Sequence, residues 1–334
     1  MRASILRRVA VLPFLAFAVA TIVFVVLRIV PGNAVNAIAG QAASAEQRAI
    51  ITERLGLNES LFVQYLKFLE GTVTLNPGVS FYSGESVNSR LFDVLPATIE
   101  LALASLVIML LVGLITGVLA AAYRGRWIDA ALRLLATVFF SMPWFWLGTL
   151  LILLVGVNLE LLPTFGRLPA DVSYDPTTNF VLIDAVIQGR PDLIWPWLQH
   201  LILPAITVGL TTAGFVTQIT RTSFIDTMFD DFVRTARMKG MSEWRIFRHH
   251  IFRNAALPIV TIVGLQFGAL LGGAVIAEAV FSYPGIGRLM VDAIFQRDYP
   301  VVQGAALVIA FLYILVNTLT DISYAYLDPR LRRS

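Results

Sequence analysis

Six long apolar stretches, separated by polar connections, dominate the pattern of residues along this chain. An α-helix needs roughly 20 mostly apolar residues to cross the hydrocarbon core of a bilayer, and all six stretches come near that length. The pattern therefore predicts an all-α membrane protein with six transmembrane helices, at residues 9–27, 101–122, 134–157, 201–219, 255–280 and 301–322. Pro143 and Pro258 lack a backbone donor, so we expect each to kink a helix or to start one.

The first apolar stretch also has features of a secretory signal peptide. The residues before it are basic, and Ala37-Ile38-Ala39 has the small side chains of a cleavage site. We favour a retained anchor, because the apolar run is long for a signal core and the candidate cleavage site lies well beyond its end.

Composition agrees with a bilayer environment and disfavours several chemistries. Hydrophobic residues make up 57% of the 334 and charged residues only 14%, which is more apolar surface than a soluble core hides. With no cysteine and only three histidines, we expect no disulfide, no metal site and no catalytic residue. The sequence has no Gly-x4-Gly-Lys-Ser/Thr loop, so we expect nucleotide to be bound by another protein.

Basic residues are distributed unevenly among the connections. Most of the 25 Lys and Arg residues lie at the two ends of the chain and in the connections after the second and fourth stretches. Because short cytoplasmic segments are enriched in basic residues, this distribution predicts that both termini are cytoplasmic. An even number of crossings is then required, and six satisfies it. Residues 28–100, 158–200 and 281–300 are expected on the opposite side.

The fifth stretch contains the candidates for a translocation path or gate. Gly264, Gly268 and Gly272 recur every four residues, and such a face of small residues allows close helix packing. The packing is either internal to the chain or against a partner subunit. Gln266 and Glu278 are polar side chains at or near membrane depth, where they either face the path or join helices by hydrogen bonds.

The connection after the fourth stretch has the most distinctive pattern. Two short amphipathic helices are predicted there, joined at Gly240, which suits a left-handed helix cap. Their apolar positions are Phe229, Phe232, Val233 and Ala236 in the first helix, and Trp244, Phe247 and Ile251 in the second. From the pattern alone, this surface contacts either a cytoplasmic partner or anionic lipid.

The run DFVRTARMKG, Asp231 to Gly240, resembles the coupling motif of ABC-importer permeases. Against the general pattern of that family, Arg234 stands in place of a Glu, and Leu257-Pro258 comes late. Both departures resemble the branch that transports dipeptides and oligopeptides. Further segments resemble the same branch in the same order, namely LRIVPGNAV, LGLNESLFVQYLKFL, LPATIELALA, FSYPGIGRLMVDAI and YLDPRLR.

This resemblance implies a type I ABC-importer permease fold in two parts. Residues 1–93 would form an N-terminal transmembrane helix plus an extracytoplasmic helical insert. Within the insert, the apolar pattern predicts two short helices, one ending near Gly56 and another capped by Asn58. Residues 94–334 would form a five-helix permease core with a cytoplasmic coupling loop at 221–254. In that loop the resemblance implies that the residues coupled to the ATPase are Phe232, Val233, Arg234, Thr235, Ala236, Lys239, Gly240 and Trp244.

The resemblance also implies partners in a bacterial inner membrane, where lipid surrounds the chain. These are a second related permease subunit, two cytoplasmic ATPase subunits that bind ATP and Mg, and an extracytoplasmic solute-binding protein. The chain itself would be a translocation subunit and not an enzyme, with no nucleic-acid partner.

Peptides are the expected cargo, and nickel, glutathione or another small solute is the alternative within the same class. Two other classes are disfavoured. A secondary transporter is expected to have two similar halves, and the sequence has no visible internal repeat. An intramembrane protease needs a base at membrane depth, and none of the histidines lies in an apolar stretch.

Overall fold

The computed structural model describes residues 2–29, 35, 39 and 44–327, and the regular structure in them is helical apart from one isolated bridge between Val79 and Ser86. The predicted all-α class is therefore confirmed. The helices are α1 (Arg2–Ile29), α2 (Ala45–Arg54), α3 (Leu61–Val73), α4 (Val87–Ala122), α5 (Trp127–Ser141), α6 (Trp144–Leu151), α7 (Val181–Ile187), α8 (Ile194–Met228), α9 (Asp231–Met238), α10 (Glu243–Ile246), α11 (Phe252–Val280), α12 (Ile286–Gln296) and α13 (Tyr299–Leu327).

Four helical segments of the described residues are long and apolar enough to cross a bilayer: Val87–Ala122, Pro191–Met228, Glu243–Val280 and Tyr299–Thr320. A fifth crossing is present if α5 and the helix after it count as one span. The apolar part of α1, Pro13–Ile29, is shorter than these segments. By length and composition the structure thus supports four or five of the six predicted spans.

The predicted span at 134–157 is not one straight helix. It consists of α5 and a second helix, Trp144–Asn158, which bend by 104° at the break between them. Pro143 lies at the start of the second helix and Met142 before it has an extended backbone, as expected for the residue that precedes a proline. The second helix ends in a π-helical turn, Ile152–Asn158. Pro143 therefore starts a helix, as predicted, whereas Pro258 lies inside α11.

The core of the bundle is the contact between α4 and α8. Close approach depends on glycine in both helices: a β-carbon at Gly113 would collide with Val216, and one at Gly209 would collide with Ile108. Such small-residue contacts let transmembrane backbones pack tightly where lipid gives no hydrophobic drive for association. α4 and α8 therefore form the centre on which other helices of the bundle pack.

The segment before α4 contains the two short helices predicted from the sequence, α2 and α3. α2 is followed by Gly56 with a left-handed φ of 63°, as predicted. The N-cap of α3 is Ser60, whose hydroxyl accepts a hydrogen bond from Val63 N, so the expectation of a cap at Asn58 was wrong. This segment is attached to the bundle by the buried carboxylate of Asp298, which accepts hydrogen bonds from Ser80 Oγ and Phe81 N.

The long connection between the π-helical turn and α8 is organised around another buried acid, Asp184 in α7. Its carboxylate accepts hydrogen bonds from Tyr174 Oη at 2.6 Å and from both the amide and the hydroxyl of Thr178. Burial alone would raise the pKa of Asp184, but the hydrogen bonds from Thr178 and Tyr174 outweigh burial and hold that pKa below its ordinary value. The ionised side chain thus fixes the shape of a loop with little other regular structure.

Candidate coupling and gating sites

The coupling loop forms the short helices α9 and α10, and the turn between them is built as the sequence predicts. α9 begins after Asp230 and ends at Met238, Lys239 caps it, and Gly240 follows with a φ of 74°. A residue with a β-carbon is strained in this left-handed conformation, so glycine suits the turn. Because α8 runs to Met228, the part of the loop outside long helices is shorter than the predicted 221–254.

Two of the eight candidate residues anchor the loop, and the other six are exposed. Val233 and Ala236 are buried. They pack against the ends of three long helices, in a cluster with Ala121 of α4, Phe224 of α8 and Ala255 of α11. The exposed candidates are Phe232, Arg234, Thr235, Lys239, Gly240 and Trp244. The loop therefore presents a basic and aromatic outer face on an anchored apolar base.

Two details of the predicted apolar stripes were wrong. Phe229 precedes α9 and is 71% exposed, so it is not part of the buried face. In the second helix the chain forms a π-helical turn, Phe247–Ile251, whose wider spacing places Ile246 and Ile251 together in the core. Trp244 is 69% exposed and its ring stacks on Phe247 at 5.9 Å.

A buried ion pair that the sequence did not reveal joins this end of the bundle. Asp129, in the first turn of α5, accepts hydrogen bonds from Arg221 Nε at 2.7 Å and Nη2 at 2.8 Å, and from Gly125 N at 2.9 Å. Such bidentate pairing fixes orientation as well as distance. The ion pair between Asp129 and Arg221 holds the start of α5 against α8. α8 leads directly into the coupling loop. An Asp in the first turn of a helix is the only local signal, and it does not identify the partner.

Glu278, a candidate gate residue, is completely buried at the opposite end of the bundle. Its carboxylate accepts hydrogen bonds from Thr98 Oγ1 at 2.7 Å, Gly287 N at 2.6 Å and Arg288 N at 3.2 Å. A β-carbon at Gly285 would collide with this carboxylate. Glu278 thus joins α4, α11 and the first turn of α12, whose backbone amides have no partner within the helix and favour a negative charge.

The glycine face of α11 packs mainly within the chain. A β-carbon at Gly264 would collide with Thr320, and one at Gly268 with Tyr313, both in α13. Among the described residues no atom lies within 4 Å of the corresponding position at Gly272. Gln266 is partly exposed. Gly264 and Gly268 therefore pack against α13 within the chain, whereas Gly272 and Gln266 have more open surroundings.

A second buried acid near Glu278 forms a charged cluster that sequence analysis did not single out. Glu100 accepts hydrogen bonds from Arg167 Nη2 at 2.6 Å, Trp197 Nε1 at 3.0 Å and Val181 N at 2.8 Å. These partners lie far from residue 100 in the chain, so the cluster is a product of the tertiary fold. It ties the long connection before α8 onto α4.

The two ends of α4 relate these sites to each other. Thr98 contacts Glu278 near one end, and Ala121 contacts the coupling loop at the other. With a rise of 1.5 Å per residue, these positions are about 35 Å apart along a continuous helix. One continuous helix therefore connects the coupling loop to the Glu278 end.

Comparison with known proteins gives matches along the whole chain. Residues 113–333 match the family model described as "Binding-protein-dependent transport system inner membrane component", and residues 1–102 match "Binding-prot-dependent transport system membrane comp, N-term". The chain is 39% identical to the di/tripeptide transport system permease protein DppB of Pseudomonas aeruginosa over 99% of both chains. It is 39% identical to the dipeptide transport system permease protein DppB of Escherichia coli K12 over 98% of both.

A solved structure of the methionine ABC transporter MetNI in inward-facing conformations has a similar fold. The TM-score is 0.53 at 14% sequence identity, and the match covers 70% of this chain and 93% of that chain. The similarity at this identity concerns the fold, which is that of an ABC-importer permease.

Proposed function

The chain belongs to the inner-membrane components of binding-protein-dependent transport systems, and we propose that it is a permease subunit of an ATP-driven ABC importer of dipeptides and other short peptides. Both curated relatives described above are named as peptide permeases and match along nearly their whole length. The observation that supports the transport role most directly is the coupling loop, whose base is anchored in the bundle while its outer face is exposed.

In this proposal the outer face of the coupling loop contacts an ATPase subunit. Phe232 and Trp244 supply exposed aromatic surface, and Arg234, Thr235 and Lys239 supply polar and basic groups around it. Buried Val233 and Ala236 pass the movement of the ATPase to the ends of the long helices. Two ATPase subunits bind ATP and Mg, and the permease chain supplies the path.

The membrane topology in this proposal has six crossings, with α1 as the first. Both termini and the coupling loop are cytoplasmic, because basic residues are concentrated in those segments. Residues 1–93 then form the first helix and an extracytoplasmic insert, and residues 94–334 form the five-helix core of a type I permease. The insert and the Glu278 end face the solute-binding protein, and a second related permease completes the path.

Nickel, glutathione or another small solute is the alternative cargo within the same class. The names of the curated relatives favour peptides. Family membership argues against a secondary transporter, because binding-protein-dependent systems are defined by an external binding protein.

The experiment that tests the proposal is purification of the tagged chain in mild detergent, identification of the co-purified proteins by mass spectrometry, and reconstitution for uptake. We expect a second permease and two ATPases, and ATP-dependent uptake of a labelled dipeptide when the binding protein is added. Uptake of nickel or glutathione instead of the dipeptide would show that the importer carries that solute and not peptides. A lone chain whose transport is insensitive to ATP would refute the ABC assignment.

A further inference from the structure

A cavity of about 430 Å³ lies at the Glu278 end of the molecule, between the segment before α4 and the helices α1 and α13. Polar and apolar side chains both line it. The residues that matter for its chemistry are Arg28 of α1, Glu59 before α3, Lys67 of α3, Gln303 of α13 and the ring of Phe24. Cavities of this size are typical of small-molecule sites in proteins.

Three buried polar atoms of the cavity residues have no hydrogen-bond partner within the described part of the chain: Arg28 Nη1, Gln303 Nε2 and Glu59 Oε2. Gln303 is only 8% exposed. Buried polar groups are paired in the great majority of cases, because an unpaired one is costly. These two donors and one acceptor in the same cavity therefore suit a ligand that accepts at one end and donates at the other.

The position of Arg28 is fixed by its surroundings. Its guanidinium carbon lies 4.8 Å from the ring centroid of Phe24 and 4.7 Å from that of Tyr299. Nε and Nη2 donate to Gln64 Oε1 at 3.2 and 2.8 Å, while Gln64 Nε2 donates to the backbone oxygen of Glu59 at 2.9 Å. One glutamine thus connects the guanidinium to the segment that carries the Glu59 carboxylate. Nη1 is the guanidinium nitrogen left for a ligand.

The charges of the cavity wall point to a ligand with no net charge. Arg28 and Lys67 are cationic, and Glu53 and Glu59 are anionic. Lys67 Nζ already pairs with Glu59 Oε1 at 2.7 Å, which leaves Oε2 for a second cation. A simple anion would satisfy the two donors but leave Glu59 Oε2 unpaired, and a simple cation would do the reverse.

We propose that this cavity binds a small zwitterion, with its anionic oxygen group on Arg28 Nη1 and Gln303 Nε2 and its primary ammonium on Glu59 Oε2. Guanidinium groups bind phosphate and carboxylate oxygens through charge-assisted hydrogen bonds, and the carboxylate of Glu59 suits an ammonium donor. The headgroup of phosphatidylethanolamine and the termini of a short peptide both have this chemistry. The site is distinct from the coupling loop and does not depend on which solute the importer carries.

The test uses the full chain, with its co-purifying subunits, reconstituted into phosphatidylcholine nanodiscs, and measures thermal unfolding after additions. Four additions are compared: phosphatidylethanolamine, phosphatidylglycerol, further phosphatidylcholine and the dipeptide Ala-Ala. Phosphatidylcholine lacks N–H donors and phosphatidylglycerol lacks a cation, so neither is expected to raise the unfolding temperature. A rise with phosphatidylethanolamine identifies a lipid headgroup as the source, and a rise with Ala-Ala alone identifies a peptide.

Two variants test whether the zwitterion binds in this cavity. Glu59→Gln removes the partner of the ammonium, and Glu70→Gln is its matched control on the exposed face of α3. Glu59→Gln loses one charge-assisted hydrogen bond and should bind the zwitterion about tenfold more weakly. Glu70→Gln should bind it with the parental affinity.

Gln303→Leu separates a ligand site from a merely structural polar group. The Nε2 of Gln303 has no hydrogen-bond partner among the described residues, so the unliganded variant should unfold at or above the parental temperature. The zwitterion should no longer raise that temperature. The proposal is overturned if no addition stabilises the parental protein, if phosphatidylglycerol or phosphatidylcholine acts as strongly as phosphatidylethanolamine and Ala-Ala, or if Gln303→Leu responds like the parent.

Discussion

At the scale of single residues, buried carboxylates join segments of this permease that are distant in sequence. Each accepts several hydrogen bonds, so the cost of burying its charge is offset by directed donors. They lie at both ends of the bundle, and they are Glu100, Asp129, Glu278 and Asp298. Removing such an acid leaves its donors buried and unpaired.

Glu278→Gln is expected to destabilise the protein by about 1–3 kcal/mol. The amide oxygen of glutamine can replace only one of the two carboxylate oxygens as an acceptor. The amide N–H groups then face the donors that the other carboxylate oxygen accepted from. Thermal unfolding in nanodiscs measures the loss. Glu85→Gln changes the same charge at an exposed position and should unfold within about 0.5 kcal/mol of the parent. Equal stability of both variants would show that the Glu278 contacts contribute nothing to the fold.

At the scale of elements, the coupling loop combines a fixed base with an exposed face. Its apolar base is continuous with α4, α8 and α11, and its turn depends on the left-handed backbone of Gly240. A residue-level change at the turn should therefore alter how the loop meets its partner without disturbing the long helices.

Gly240→Val places a branched side chain at positive φ, which costs about 1–2 kcal/mol locally. The variant should therefore lower the number of peptides that the assembled importer transports per ATP hydrolysed. Gly189→Val is the matched control. Gly189 has a φ of 64° and, like Gly240, no described atom near an added β-carbon, but it lies outside the coupling loop, in the connection before α8. Equal ratios of transport to ATP hydrolysis in the two variants would remove Gly240 from the coupling mechanism.

At the scale of the whole molecule, two ends with different chemistry are joined by continuous helices. One end has the coupling loop and the ion pair of Asp129 with Arg221, and the other has Glu278, Glu100 and the proposed zwitterion cavity. The proposed topology places these ends on opposite sides of the membrane, with α1 as the first of six crossings.

Single cysteines can report this topology, because the chain has none of its own. We expect Ser83→Cys to react with a membrane-impermeant maleimide in intact spheroplasts. Ser242→Cys, in the coupling loop, and Ser4→Cys should react only after the membrane is permeabilised. Labelling of Ser4→Cys and Ser83→Cys from the same side would mean that α1 does not cross the membrane.

Features that depend on local pattern could be predicted from the order of residues. The apolar stretches located the long helices, the Gly240 turn and the buried pair Val233 and Ala236 followed from helical spacing, and Pro143 marked the start of a helix. These features follow from backbone geometry and hydrophobic periodicity within a few turns of chain, which the order of residues encodes directly.

Which distant residues meet depends on how the helices pack. Pro143 marks the break in the third predicted span, but the angle of 104° is visible only in the fold. The π-helical turn that buries Ile246 and the pairing of Asp129 with Arg221 depend on neighbours contributed by other helices. The same holds for the polar atoms of Arg28, Glu59 and Gln303 that have no partner among the described residues; these three residues are far apart in the chain and share a cavity. Sequence periodicity fixes which face of a helix is apolar, whereas packing between helices fixes what that face contacts.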